Sequence, residues 1–160
     1  MKKIIYLFIF FILLFNFNAC TGYKPIFSTS NLNFKISDYS IEGNKKLGRE
    51  IYSRLYSLSG SAEKTEAQNI KILINVSKDK KATVKDTAGK VLEYRITLST
   101  NIVVKKYLTG ATLLEENFIS SSSYKVQDQY SETIKLENMS LENLINKTYE
   151  DLLLKLIQII

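Results

Sequence analysis

Few residues of this chain could do covalent or acid–base chemistry. Cys20 is the only cysteine, and there is no histidine. Without histidine, Ser-His-Asp and Cys-His nucleophilic systems are excluded, and so are the usual zinc ligand sets. Carboxylate pairs and Ser-Lys dyads remain. Glu115 and Glu116 are adjacent, so on a strand they point to opposite faces and cannot share a substrate. Ser120 to Ser123 form a serine run with no glycine-rich elbow and no base beside it. The expectation is a protein without catalytic activity, cofactor or metal. Cys20 is then the one distinctive nucleophile, and its position defines its role.

Met1-Lys2-Lys3 is followed by an apolar, uncharged run over residues 4–17 and by the small Ala19. Positive charge, apolar stretch and small residues before a cut make a secretory signal peptide. The run is shorter than the ~20 apolar residues needed to span a bilayer, and a merely buried thiol has no reason to fall at a cleavage boundary. Phe17-Asn18-Ala19-Cys20 resembles the lipobox of bacterial lipoproteins, in which the cysteine is lipidated and becomes the first mature residue. The resemblance implies several acyl chains on Cys20, and more than one chain gives a stable membrane anchor. Thr21 follows, where the familiar inner-membrane retention signal has Asp. That favours the outer membrane, with the body facing the periplasm. A lipidated Cys20 leaves no thiol for a disulfide framework.

The leader is residues 1–19, and residues 20–31 read as a lipidated tether containing Pro25, the only proline. Residues 32–160 read as one domain, long enough to bury a core. The net charge of +6 falls to +4 when Lys2 and Lys3 leave with the leader. In a secreted body this mild excess does not suggest nucleic acid. It fits an anionic lipid or polysaccharide, or simply a chain rich in Lys, Ile and Asn.

The elements follow from periodicity. Leu32, Phe34 and Ile36 alternate with polar residues, then the phase slips to Tyr39 and Ile41, predicting a strand with a bulge near Ser37-Asp38. Asn44 is a helix N-cap for the stripe Leu47, Ile51, Leu55 and Leu58, and Ser59-Gly60 ends that helix. Ser61 to Gln68 reads as a loop. Ile70, Ile72, Ile74 and Val76 define a half-buried strand that breaks at the charged Ser77–Lys81, with a shorter extended piece from Ala82 to Lys85. Asp86-Thr87-Ala88-Gly89 is a turn. The longest alternation runs from Leu92 to Val104. The turn Leu108-Thr109-Gly110-Ala111, with a glycine for positive φ, returns the chain along Thr112–Tyr124. The serine-rich half of that strand predicts a wet or partner-facing side. Leu141, Leu144, Ile145, Tyr149, Leu152, Leu156 and Ile160 line one face of a final helix, capped by Asn138 or Ser140 or beginning earlier, near Glu132. Strand, helix, three strands and helix predict an α+β two-layer sandwich: an antiparallel-rich sheet of about four strands with both helices on one face.

Cys20-Thr21-Gly22-Tyr23-Lys24-Pro25, the strand–helix stretch from Ile41-Glu42-Gly43 to Leu58, Glu93-Tyr94-Arg95-Ile96-Thr97-Leu98, and Ser123-Tyr124 before the last helix together resemble the LptE (RlpB) family of lipopolysaccharide-assembly lipoproteins. The resemblance covers essentially the whole mature chain. It implies a non-enzymatic outer-membrane protein that plugs the β-barrel LptD one-to-one, assists its assembly and binds lipopolysaccharide. Basic residues implicated in that family correspond to Lys85 and Lys135 here, with Arg95 near the first. Arg and Lys bind phosphorylated groups through charge-assisted hydrogen bonds; each of these three is equally readable as a solvated surface charge. Two alternatives stay open from the residues themselves. One is a periplasm-facing lipid-binding or carrier lipoprotein with no barrel partner, which would need an internal apolar cavity. The other is a hydrolase using Ser and Lys.

Overall fold

The computed structural model describes residues 34–59 and 67–159. The leader, Cys20, the tether, the stretch around Ser61 and Ile160 lie outside the described residues. The elements are β1 (Phe34–Gly43), α1 (Lys45–Ser59), β2 (Gln68–Lys85), β3 (Val91–Lys106), β4 (Thr112–Lys125) and α2 (Tyr130–Ile159). They build a four-stranded sheet in the order β1-β2-β3-β4. β1 and β2 run parallel, joined through α1; the other pairs are antiparallel. The sheet is therefore mixed. Chain reversal by short turns allows only antiparallel neighbours, whereas a helical crossover brings β2 back alongside β1 in the same direction.

The bulge expected near Ser37-Asp38 falls between Ile36 and Asp38. It shifts the phase so that Tyr39, like Phe34, faces the helices, where it stacks on Tyr52 of α1 at 4.0 Å between ring centroids. Asn44 caps α1 as expected, its Oδ1 accepting the Leu47 N–H at 3.2 Å. Entry to α1 hugs the sheet. Asn44 N–H donates to the Val76 carbonyl at 2.7 Å, and Gly43 has φ of 69° with no room for a Cβ against the Val76 carbonyl oxygen. Only glycine takes that conformation without strain.

The core lies between one sheet face and the two helices. Ile70, Ile72, Ile74 and Val76 of β2 and Ile96, Leu98, Ile102 and Val104 of β3 are buried there. Leu47, Ile51 and Leu55 of α1 and Leu144, Ile145, Leu152 and Leu156 of α2 close the layer. Most of the period-two and helical stripe positions read from sequence are these; Leu92, at the start of β3, is exposed instead, and Leu58, Leu141 and Tyr149 pack at the margin of the core.

One boundary differs from expectation, and one left open is decided for the earlier start. β2 does not break at Ser77–Lys81; it runs unbroken to Lys85, and Lys78 and Lys80 continue the helix-facing side of the strand. α2 starts at Tyr130, so neither Asn138 nor Ser140 caps it. Its first turn is tied down instead by Thr133, whose Oγ1 accepts the Gln127 N–H at 2.9 Å. The turn Asp86–Lys90 is held by the Asp86 carboxylate, which accepts the N–H groups of Ala88 and Lys90 at 2.9 and 2.8 Å. Gly110 takes the expected positive φ, 69°.

Candidate interaction surface

Both helices cover the same sheet face, and among the described residues no element covers the other, which is called the bare face. Strand register decides what it presents. Across the sheet, Glu42, Asn75, Asn101 and Asn117 form one row, because each pairs with the next. Ser77, Ser99 and Ile119 form a second row; Asp79, Thr97 and Ser121 a third; Lys81, Arg95 and Ser123 a fourth. On the other side of the asparagine row, Ser40, Leu73, Val103 and Glu115 line up. The face is thus mostly Asn, Ser and Thr between the asparagine row and Arg95, with Ile119 exposed on β4, Leu73 and Val103 beyond the asparagines, and charge at its margins. Asn75, Asn101 and Asn117 are all exposed. Side-chain amides and hydroxyls each donate and accept, so this band offers dense hydrogen bonding without net charge.

The serine run is divided by the pleat. Ser121 and Ser123 face outward with Ser99 and Asn117, while Ser120 and Ser122 point to the helix side and are half-buried. The Ser120 and Thr100 hydroxyls are buried there without a hydrogen-bond partner among the described residues. The wet side expected of this strand is therefore every second serine rather than all four.

Lys85 is the last residue of β2, opposite Val91 and exposed. Arg95 lies on the bare face between Lys81 and Ser123, and its Nε donates to Ser123 Oγ at a long 3.4 Å. Lys135 is exposed on the second turn of α2, in the other layer, beside Gln127, Leu136 and Met139. Among the described residues none of the three forms an ion pair. Lys85 and Arg95 share one hairpin, and Lys135 belongs to the opposite face.

A charged cluster that the sequence reading missed sits between the layers. Glu137 of α2, with its side chain only 13% exposed, receives Lys78 Nζ at 2.8 Å and Lys80 Nζ at 2.6 Å. Tyr124 donates its hydroxyl to the same carboxylate at 2.9 Å. Lys80 Nζ also lies 4.4 Å from the centre of the Tyr94 ring, a cation–π contact. Burial alone would raise the Glu137 carboxyl, but hydrogen bonds from Lys78, Lys80 and Tyr124 outweigh it and hold its pKa at about 2. For Lys80, too, burial opposes the charge, and Glu137 and Tyr124 overcome it and raise its pKa. The cluster pins α2 to the far ends of β2 and β4. Its arrangement is that of a structural clamp. The signal available in sequence was the parity of Lys78 and Lys80, in phase with Ile74 and Val76.

No protein-family model matches this sequence, and no curated protein matches it. Solved structures do. A lipoprotein B from Nitrosomonas europaea, described as uncharacterized, aligns with a TM-score of 0.57 at 17% identity, over 82% of this chain and 88% of that one. A candidate lipoprotein from Caulobacter crescentus CB15 aligns at 0.56 and 15% identity, over 81% and 92%. A minor lipoprotein from Acinetobacter baumannii aligns at 0.57 and 8% identity, over 79% and 92%. At these identities the likeness establishes a common fold: a mixed four-stranded sheet backed on one side by two helices.

Proposed function

We propose that this chain is a bacterial lipoprotein of the lipopolysaccharide-assembly machinery. Anchored through Cys20 in the outer membrane and facing the periplasm, it fills the lumen of the β-barrel LptD in a one-to-one complex and assists the barrel's assembly. It works by binding rather than catalysis. The observation that carries this reading is the bare sheet face with its uncharged band of Asn75, Asn101, Asn117, Ser99, Thr97 and Ser121. The interior of a large outer-membrane barrel is polar, and a rigid face of amides and hydroxyls can hydrogen-bond to it without burying a lone charge. Three further points support it: the signal-peptide pattern over residues 1–19 before Cys20, the resemblance to the LptE family, and neighbours of the same fold that are described as lipoproteins. The packed core between sheet and helices disfavours a carrier with an internal lipid cavity.

Lipopolysaccharide is the second ligand of this reading. Lys85 and Arg95, on the projecting β2–β3 hairpin, and Lys135 on α2 are the cations assigned to its phosphates. The deciding experiment is an affinity pull-down from detergent-solubilised outer membranes, with the lipidated protein tagged after Ile160. The expected eluate contains a large β-barrel in stoichiometric amount. An eluate without one removes the plug.

A further inference from the structure

The two helices differ in charge. α1 carries four cations, Lys45, Lys46, Arg49 and Arg54, against the single acid Glu50. Among the described residues none of the four forms an ion pair. α2 is acidic: Glu132, Glu137, Glu142, Glu150 and Asp151 outnumber Lys135, Lys147 and Lys155, and the last two lysines pair with Asp151 and Glu116. Lys45 and Lys46 open α1, where the helix dipole is already positive, so helix stability does not account for them. Tyrosines continue the basic face. Lys45, Arg49, Tyr52 and Tyr56 follow one another at the spacing of a single helix face. Tyr39 of β1 stacks on Tyr52, whose ring centroid lies 5.7 Å from that of Tyr56. Tyr39 and Tyr56 are 49% and 53% exposed, and Lys45, Lys46 and Arg49 are exposed as well.

We propose that this face of α1, with Tyr39 beside it, is the surface by which the free lipoprotein rests on anionic phospholipid headgroups. Tyrosine suits a membrane–water interface, where its ring sits among the headgroups and its hydroxyl stays wet. Basic residues near an anionic leaflet are each attracted to it, and the attraction sums over a cluster. The rings here pack on one another rather than standing apart with open faces, as a platform for sugar stacking requires. The contact is superficial, since no described helix is long and apolar enough to cross a membrane. It rests on the anchoring at Cys20 and not on the barrel. From Cys20 to Phe34 the chain reaches at most about 50 Å, enough to let any side of the domain touch lipid, so the tether does not choose a side and the α1 face does. α1 lies in the layer opposite the bare sheet face, which stays open to a barrel while the chain waits on the membrane.

The chain has no tryptophan, so Tyr56→Trp provides a single reporter. The lipidated full chain is placed in vesicles of phosphatidylcholine and phosphatidylglycerol that contain a headgroup spin-labelled lipid as quencher. Emission of Tyr56→Trp should shift to shorter wavelength and be quenched several-fold more than that of Asn101→Trp, on the bare face, or Val84→Trp, on the basic hairpin. Adding Lys45→Glu and Arg49→Glu should remove that quenching, while flotation still finds the protein on the vesicles, held by its acyl chains. A parent chain that does not float removes the anchor at Cys20; quenching with excess vesicles at low salt then still decides the face. Equal quenching at the three positions, or stronger quenching of Val84→Trp, overturns the proposal. So does quenching that pure phosphatidylcholine vesicles reproduce. A shift of Tyr56→Trp obtained with a soluble polysaccharide and not with vesicles also overturns it, assigning the tyrosines to a carbohydrate.

Discussion

Lys80 and Glu137 come from opposite layers of the sandwich, and their charged groups lie 2.6 Å apart. Lys80 extends a strand past the end of the apolar core, and Glu137 lies on the buried side of α2, so the pair joins what hydrophobic packing does not reach. Because Lys78 and Tyr124 converge on the same carboxylate, Glu137 is bound by three donors. Removing the shared acceptor takes the partner from two partly exposed cations and from the Tyr124 hydroxyl at once.

Glu137→Gln should therefore destabilise the fold by about 1–3 kcal/mol at neutral pH, measured by urea unfolding. The folded pKa of about 2 lies below the ordinary value of 4.5. The carboxylate's contribution is thus complete above the unfolded pKa and is lost as pH falls through the folded one. The gap between wild type and variant should narrow from roughly pH 5 downward. A gap that stays constant to pH 3 would show that the charge is not what stabilises the contact.

Thr100 buries a hydroxyl with no partner among the described residues. Valine has nearly the same shape without the polar atom. Thr100→Val should leave stability unchanged or raise it by about 1 kcal/mol, because an unsatisfied buried group costs on that order. A loss of more than that in thermal or urea unfolding would mean that the hydroxyl has a bound partner such as water.

Asn101 sits at the middle of the bare face, paired with Asn75 and Asn117. Asn101→Glu should leave the melting temperature close to wild type, since the residue is exposed. In the plug reading it should sharply reduce capture of the barrel, because it places a desolvated, unpaired charge in a docked face, at a cost of several kcal/mol. Full capture by this variant would move the barrel contact to another surface.

Lys85→Ala, Arg95→Ala and Lys135→Ala separate the two cation positions. If the hairpin holds a lipopolysaccharide phosphate, loss of Lys85 or Arg95 should weaken binding by about tenfold each, the scale of one charge-assisted hydrogen bond. Lys135, in the other layer, should act independently and additively. Immobilised lipopolysaccharide and surface plasmon resonance would read this. Unaltered affinity in all three would leave them as solvated charges.

Much of the fold was legible in the chain because burial follows period. Ile70 to Val76 and Leu92 to Val104 alternate because one face of each strand is covered, and Leu47, Ile51 and Leu55 repeat as a helix does. Even the bulge of β1 showed as a slip between Ile36 and Tyr39. The reading failed where an inward position is polar. Lys78 and Lys80 resembled a break, and Glu137 hid an inward turn of α2, because these three satisfy one another across distant parts of the chain; Thr133 is polar yet buried because it binds the backbone of Gln127 just before the helix.

The sequence by itself determined the absence of histidine, the order of elements and the apolar side of most of them. Tertiary structure alone decided which polar residues stand together. Asn75, Asn101 and Asn117 are far apart in the chain and become one row only through register; Ser120 and Ser121 are adjacent and part to opposite sides of the sheet. Apolar burial is a property of each residue and leaves a periodic trace. A hydrogen-bonding face or a charge clamp depends on relations between strands, and those exist only once backbone pairing has set the register.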